Sequence, residues 1–324
     1  MHTPFTARVL SWLAIAPLAL AAHLAFAVGD IPFSADTLYP ETASWSAKQH
    51  VFFVSSVRHG VVGKVTPQGQ YSAFINDDKL VSSVGLTIDD KRNTLWVTSS
   101  DPGASDRTNS ATQGKLAGVG AFDATTGQRR AWYNLGDLAE GAHFANDLAL
   151  DAAGNVYVTD SFAPLIYRID SDGKASIFAR NDLFKQGDGF NLNGIAVHPD
   201  GYLLVGKYNS GQIFRVSLQH PDQVEEVTLP AALKGADGFL LRDSQHLVVV
   251  QNLGEDQTTE LVSIDGWKTA RVERQSKSLM SMPSSATQVG KDFYVLNSRI
   301  DTLFNKDAAK VSDFVLQKFE PARP

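Results

Sequence analysis

A chain of 324 residues, 43% hydrophobic and without cysteine, can bury a large core and has no disulfide framework to lean on. Its formal net charge of −6 comes with no basic stripe. That excludes nucleic acid as a partner, because neutralising phosphates needs a positive face.

Residues 1–27 read as a removable signal peptide. Arg8 supplies the positive start, Val9 to Ala22 form an apolar run broken by Ser11 and Pro17, and Ala25-Phe26-Ala27 is a small-x-small cleavage site. The run is short for a bilayer span, which takes about 20 residues. The expectation is a mature domain over 28–324, starting at Val28, periplasmic or secreted and without a membrane anchor after cleavage.

From Ile31 onward the chain repeats itself. Asn146-Asp147-Leu148-Ala149 opens a short apolar run, Ala153-Gly154-Asn155 turns it, and Val156-Tyr157-Val158-Thr159-Asp160 runs back. The same pattern returns from Asn193 and again from Asp237, and weaker copies start at Glu41, Val84 and Met282. The spacing is roughly 45 residues, the length of a four-stranded propeller blade. The one long interval, Val84 to Asn146, carries its surplus in Ser100–Gly118, a Gly/Ser/Thr/Asn-rich stretch that reads as a grafted loop.

Each repeat has a β-branched and aromatic second strand, such as Leu95-Trp96-Val97-Thr98 or Leu247-Val248-Val249-Val250. Third strands follow, including Leu165–Ile169 and Leu261–Ile264, and pairs such as Thr126-Gly127 and Asp172-Gly173 turn into the fourth. The sixth repeat has Ser298–Ser312, read as loop, then Phe314–Phe319, and lacks its fourth strand. Ile31-Pro32-Phe33-Ser34 can supply it from the other end of the chain. The expected fold is all-β, a six-bladed β-propeller with four-stranded blades closed by the N-terminal strand, which leaves no long open sheet edge.

In a propeller the first strand of each blade lines the channel, so the residues opening the repeats form a ring at one mouth. Four of them, Glu41, Asn146, Asn193 and Asp237, offer oxygen; Val84 and Met282 do not. Two carboxylates and two amides suit Ca²⁺, with another divalent cation as the alternative. Zinc or copper would want His or Cys, and the ring has neither. Each Asn-Gly or Asp-Gly pair alone is also ordinary turn chemistry. Four in register are a different matter, because converging carboxylates repel unless a cation or a proton separates them.

The second strands return to the same mouth and end in Ser56, Ser99, Asp160, Lys207, Asn252 and Asn297. Asp160, Lys207, Asn252 and Asn297 are candidates to orient a substrate, and Asp160 with Lys207 can instead form an ion pair between blades. Ser100–Gly118, Leu253–Thr259 and Ser298–Ser312 leave those strands as candidate lid elements. His143 precedes Asn146 closely enough to be considered as a base, against the alternative of a packing histidine. No nucleophile elbow, P-loop or dinucleotide fingerprint occurs.

Pro40-Glu41-x-x-x-Trp45, Asn146-Asp147-Leu148-Ala149, Leu192-Asn193-Gly194-Ile195-Ala196 with Pro199-Asp200-Gly201, and Asp237-Gly238 stand in an order that resembles the senescence marker protein, gluconolactonase and luciferin-regenerating-enzyme family. The resemblance covers nearly the whole mature chain. It implies a calcium-dependent hydrolase of a small lactone or ester, with Glu41, Asn146, Asn193 and Asp237 on the metal and Asp237 also transferring the proton. Phe144 stands where sugar-lactone members tend to carry Arg, which points toward a less polar substrate. The alternative is a non-enzymatic propeller with a structural cation and a ligand-binding loop face.

Overall fold

The computed structural model describes residues 29–184, 187 and 189–319. The signal-peptide reading of residues 1–27 lies outside them. The described residues form six four-stranded antiparallel sheets. Their inner strands are Ala43–Ser46, Ser82–Asp89, Ala145–Leu150, Leu192–His198, Ala236–Leu241 and Pro283–Val289, taken here as blades 1 to 6. Each inner strand packs on the inner strands of the two neighbouring blades, and blade 6 packs on blade 1, so the ring is closed.

Closure follows the expected route. In blade 6 the order is Pro283–Val289, Asp292–Asn297, Asp313–Lys318 and, outermost, Ile31–Ser34, with Ile31 opposite Leu316 and Ser34 opposite Asp313. The apolar interior lies in the seams between blades. Phe53, Val62 and Ile75 of blade 1 meet Leu86, Leu95 and Val97 of blade 2. Phe33 and Phe314 of blade 6 meet Phe52 and Val65 of blade 1. Both faces of every second strand are therefore buried, which explains why those strands read as continuous apolar runs rather than alternating ones.

Two expectations need correction. The third strand of blade 5 is Gln257–Val262 rather than Leu261–Ile264, and Ile264 is exposed beyond its end. The loop before it shrinks accordingly from Leu253–Thr259 to Leu253–Asp256. Its polar residues misled the reading, because they are buried and paired: Thr259 Oγ1 donates to Gln251 Oε1 at 2.7 Å, and Glu260 accepts from Arg242 at 2.6 Å. Ser298–Ser312 is also not all loop, since Asp301–Phe304 forms one helical turn.

Candidate metal and active site

A β-bulge builds the mouth. In blades 2 to 5 the inner strand inserts one extra residue at the same place, so that two residues oppose one on the second strand: Val84-Gly85, Asn146-Asp147, Asn193-Gly194 and Asp237-Gly238. A bulge bends the strand and re-aims the side chain at its first position. Here the first positions converge: Glu41, Val84, Asn146, Asn193, Asp237 and Met282 line one cavity of about 100 Å³ at the channel mouth. The structure thus brings together all six ring residues inferred from the repeat.

Three of the bulges carry glycine second because the next blade is too close for a side chain. A Cβ on Gly85 would stand 2.4 Å from the Asn146 carbonyl oxygen, one on Gly194 2.1 Å from that of Asp237, and one on Gly238 2.6 Å from that of Ser284. Second-strand threonines tie the same seams: Thr98 Oγ1 donates to the Asn146 carbonyl and Thr159 Oγ1 to that of Asn193, both at 2.7 Å.

The side-chain hydrogen bonds fix which atoms face the cavity. Asn146 Nδ2 donates to Ser161 Oγ at 2.9 Å, and the Asn193 side chain hydrogen-bonds Asp237. Both amide oxygens, Asn146 Oδ1 and Asn193 Oδ1, are buried without a partner. Asn252 Nδ2 donates to Asp237 Oδ2 at 2.5 Å and to the Pro283 carbonyl at 2.8 Å. Thr42 Oγ1 donates to Glu41 Oε2 at 2.5 Å.

The carboxylates are held under electrostatic stress. Burial, then the Asp237 and Asp147 charges, push the Glu41 carboxyl well above its usual range. Burial pushes Asp237 up to about 7, against the lowering effect of its bond from Asn252, and burial likewise pushes Asp147 up to about 7. Unpaired amide oxygens beside carboxylates that resist ionisation are the donor set a hard cation satisfies, so the residues present fit Ca²⁺. Among the described residues no group of three His, Cys, Asp or Glu side chains is arranged to hold a metal. The amides are therefore indispensable to any such site.

The outer residues divide. Asn252 orients Asp237, as above. Phe144 lines the cavity. Asp160 is fully buried and does not reach Lys207: it accepts from the backbone of Phe144 at 2.9 Å, Phe162 at 3.0 Å and Ala163 at 3.0 Å, and from Tyr167 Oη at 3.0 Å. Lys207 Nζ donates to the Leu183 carbonyl at 2.9 Å, and burial lowers its pKa. Asn297 is buried too, accepting from the Met280 backbone at 2.8 Å. These three hold loops in place.

His143 faces away from the cavity. Its Nδ1 lies 2.7 Å from Asp160 Oδ2 and its Nε2 2.8 Å from the Ala139 carbonyl. Both partners accept, which favours the doubly protonated ring, and the bond to Asp160 raises its pKa above the usual histidine value. Held by acceptors at both ring nitrogens and turned from the cavity, His143 packs the 139–143 segment against Asp160.

Four connections supply the upper wall: Pro102 from 100–118, Ile300 and Phe304 from 298–312, Phe190 before the inner strand of blade 4, and Tyr208 after its second strand. The 100–118 segment is pinned. Arg107 Nη1 donates to the carbonyls of Asp77 at 2.6 Å and Leu80 at 2.7 Å, while Asp101 accepts from Thr108 at 2.7 Å and Thr112 at 2.6 Å. Held in this way, it contributes Pro102 to the cavity wall. The ring logic missed Asp147, Phe190 and Tyr208; Tyr208, directly after Lys207, was reachable as the next residue out from the second strand.

Fold and mouth together define a class: a six-bladed propeller whose inner strands present oxygen donors to one end of the channel. Residues 90–250, just under half of the chain, match the family model described as SMP-30/Gluconolactonase/LRE-like region. Among solved structures it is similar to the major allergen Mala s 1 of Malassezia sympodialis, with 18% identity, 90% of this chain and 96% of that one covered, and a TM-score of 0.71. A gluconolactonase from Xanthomonas campestris gives 14% identity, 87% of each chain and a TM-score of 0.60. A luciferin-regenerating enzyme gives 12% identity, 90% and 96%, and a TM-score of 0.59. At these identities the likeness shows the fold alone. No curated protein sequence matches the chain.

Proposed function

We propose that this lactonase-like propeller is an exported, calcium-dependent hydrolase of a small lactone or ester. The observation that supports it most is the pair of buried, unpartnered amide oxygens, Asn146 Oδ1 and Asn193 Oδ1, beside Glu41 and Asp237 in one cavity. Those four residues would hold the cation, which when bound supplies Lewis acidity toward a carbonyl. Asp237 then has the protein's part of the chemistry: it takes a proton from the water that attacks the carbonyl carbon and returns it to the departing alkoxide. Asn252 fixes the Asp237 carboxylate for that transfer, and the apolar upper wall keeps bulk water from the reacting carbonyl.

The test is a chelator titration on the mature protein, following thermal stability and hydrolysis of a lactone and aryl-ester panel together, with Asp237→Asn alongside. Calcium should restore both readouts in the parent. Asp237→Asn retains an oxygen donor, so it should keep some calcium-induced stabilisation while turnover falls by about 100-fold or more. Turnover that survives chelation or this substitution would overturn the reading. Stabilisation without any turnover would leave a structural cation in a binding propeller. Export is tested separately, by the N-terminus of the secreted protein: Val28 is expected.

A further inference from the structure

The cavity above the oxygen donors has a wall of one chemical kind. Phe144 and Phe190 meet edge to face with centroids 5.1 Å apart at 86°, and Phe162 packs on them at 5.3 and 5.2 Å. Tyr208 continues the row 6.3 Å from Phe190. Met282, Ile300 and Phe304 face them across the opening. Phe144 and Phe190 meet edge on, so the wall is not the flat platform on which a sugar ring stacks. Among the described residues lining the cavity there is no Lys, Arg or His.

A second observation concerns the rim. Of the six large hydrophobic side chains exposed among the described residues, Leu138, Leu183, Leu253 and Phe304 belong to loops that open on the mouth face. Ile264 lies on a turn at the opposite face, and Val272 on an outer strand. Exposed apolar surface is thus biased to the mouth face, and Phe304 carries it into the cavity lining, where an apolar ligand gains by meeting it.

We propose that the site selects a neutral lactone or ester with an alkyl or aryl substituent, the carbonyl at Glu41, Asn146, Asn193 and Asp237 and the substituent against Phe144, Phe190 and Phe304. A polyhydroxylated lactone would bring several hydroxyls to a wall on which Tyr208 alone carries a polar group, and leave most of them without partners. A lactone of a sugar diacid would add its remaining carboxylate beside Glu41 and Asp237, with no cationic side chain lining the cavity to meet it. The placement of the carbonyl rests on the hydrolase reading; the selection of the substituent rests on the wall.

Binding without turnover separates the two. The calcium-loaded protein is titrated calorimetrically with two non-hydrolysable lactams, 6-pentyl-δ-valerolactam and gluconolactam, and the matching lactones are assayed for hydrolysis. The alkyl lactam should bind at least ten-fold more tightly. Phe190→Ala should remove most of that preference; if this variant does not fold, Phe304→Ala, altering an exposed side chain, makes the same test. Equal or tighter binding of gluconolactam, no binding of either lactam, or a preference unchanged in the folded variant overturns the proposal. Preference for the alkyl lactam with neither lactone hydrolysed leaves it standing and sinks the hydrolase reading instead.

Discussion

Asp147 occupies the bulge position that blades 2, 4 and 5 give to Gly85, Gly194 and Gly238. Its carboxylate accepts from the Leu148 backbone at 2.8 Å and from Ile195 of the next blade, and adds a third negative charge near Glu41 and Asp237. The consequence for stability has a definite sign. The folded pKa of about 7 stands above the ordinary aspartate value of 3.8, so between those values the native chain holds more protons than the unfolded one. Stability from this group is therefore fully present below the unfolded pKa and lost as pH rises through about 7, and Asp237 and Glu41 shift in the same direction. The calcium-free protein should melt at lower temperature at pH 8 than at pH 5, by an amount on the order of a few kcal/mol in unfolding free energy. Asp147→Gly should flatten that slope, and saturating calcium should abolish it. A calcium-free melting temperature that climbs over this range would contradict the electrostatic account. Asp147 was hidden in the sequence by strand alternation, which sends the neighbour of an inward Asn to the other face; the bulge suspends that rule.

The inner strand with its bulge is the element on which both fold and site depend. Gly194 is there because the Asp237 carbonyl of the next blade stands where its Cβ would go. Gly194→Ala must push blades 4 and 5 apart at the mouth, and overpacking of this kind costs about 1–3 kcal/mol. A lower denaturant midpoint together with weaker calcium binding is expected; a stability within error of the parent would show that the seam yields freely. The ~45-residue beat and the apolar second strands made the blades legible, since a strand buried on both faces leaves an unmistakable run. The third strand of blade 5 was not, because Thr258, Thr259 and Glu260 look like loop and are paired only by residues distant in sequence. The ring members were legible for the same reason as the blades. The apolar wall was not, apart from Phe144, because Phe190, Tyr208 and Phe304 come from loops that obey no period.

At the scale of the molecule, the ring has no single centre of cohesion. Its apolar side chains are shared out among six seams, each needing both neighbours. Removing Ile31–Ser34 would take Ile31 and Phe33 out of the seam between blades 6 and 1 and expose the backbone edge of Asp313–Lys318. A chain beginning after Ser34 should elute as aggregate in size-exclusion chromatography, where the parent keeps one sharp peak; a monomeric, cooperatively melting truncation would refute the closing role. The antiparallel pairing has a mechanical side as well. Ile31 lies opposite Leu316, and Lys318 N donates to Asp30 Oδ1 at 2.8 Å, so both ends of the folded chain leave from the same corner of one sheet. Tension applied through the two ends peels that ladder from its corner, loading its hydrogen bonds one after another rather than all together. The outermost strand is then the first part to yield to a pull, while the inner strands that carry the mouth bear almost none of the load.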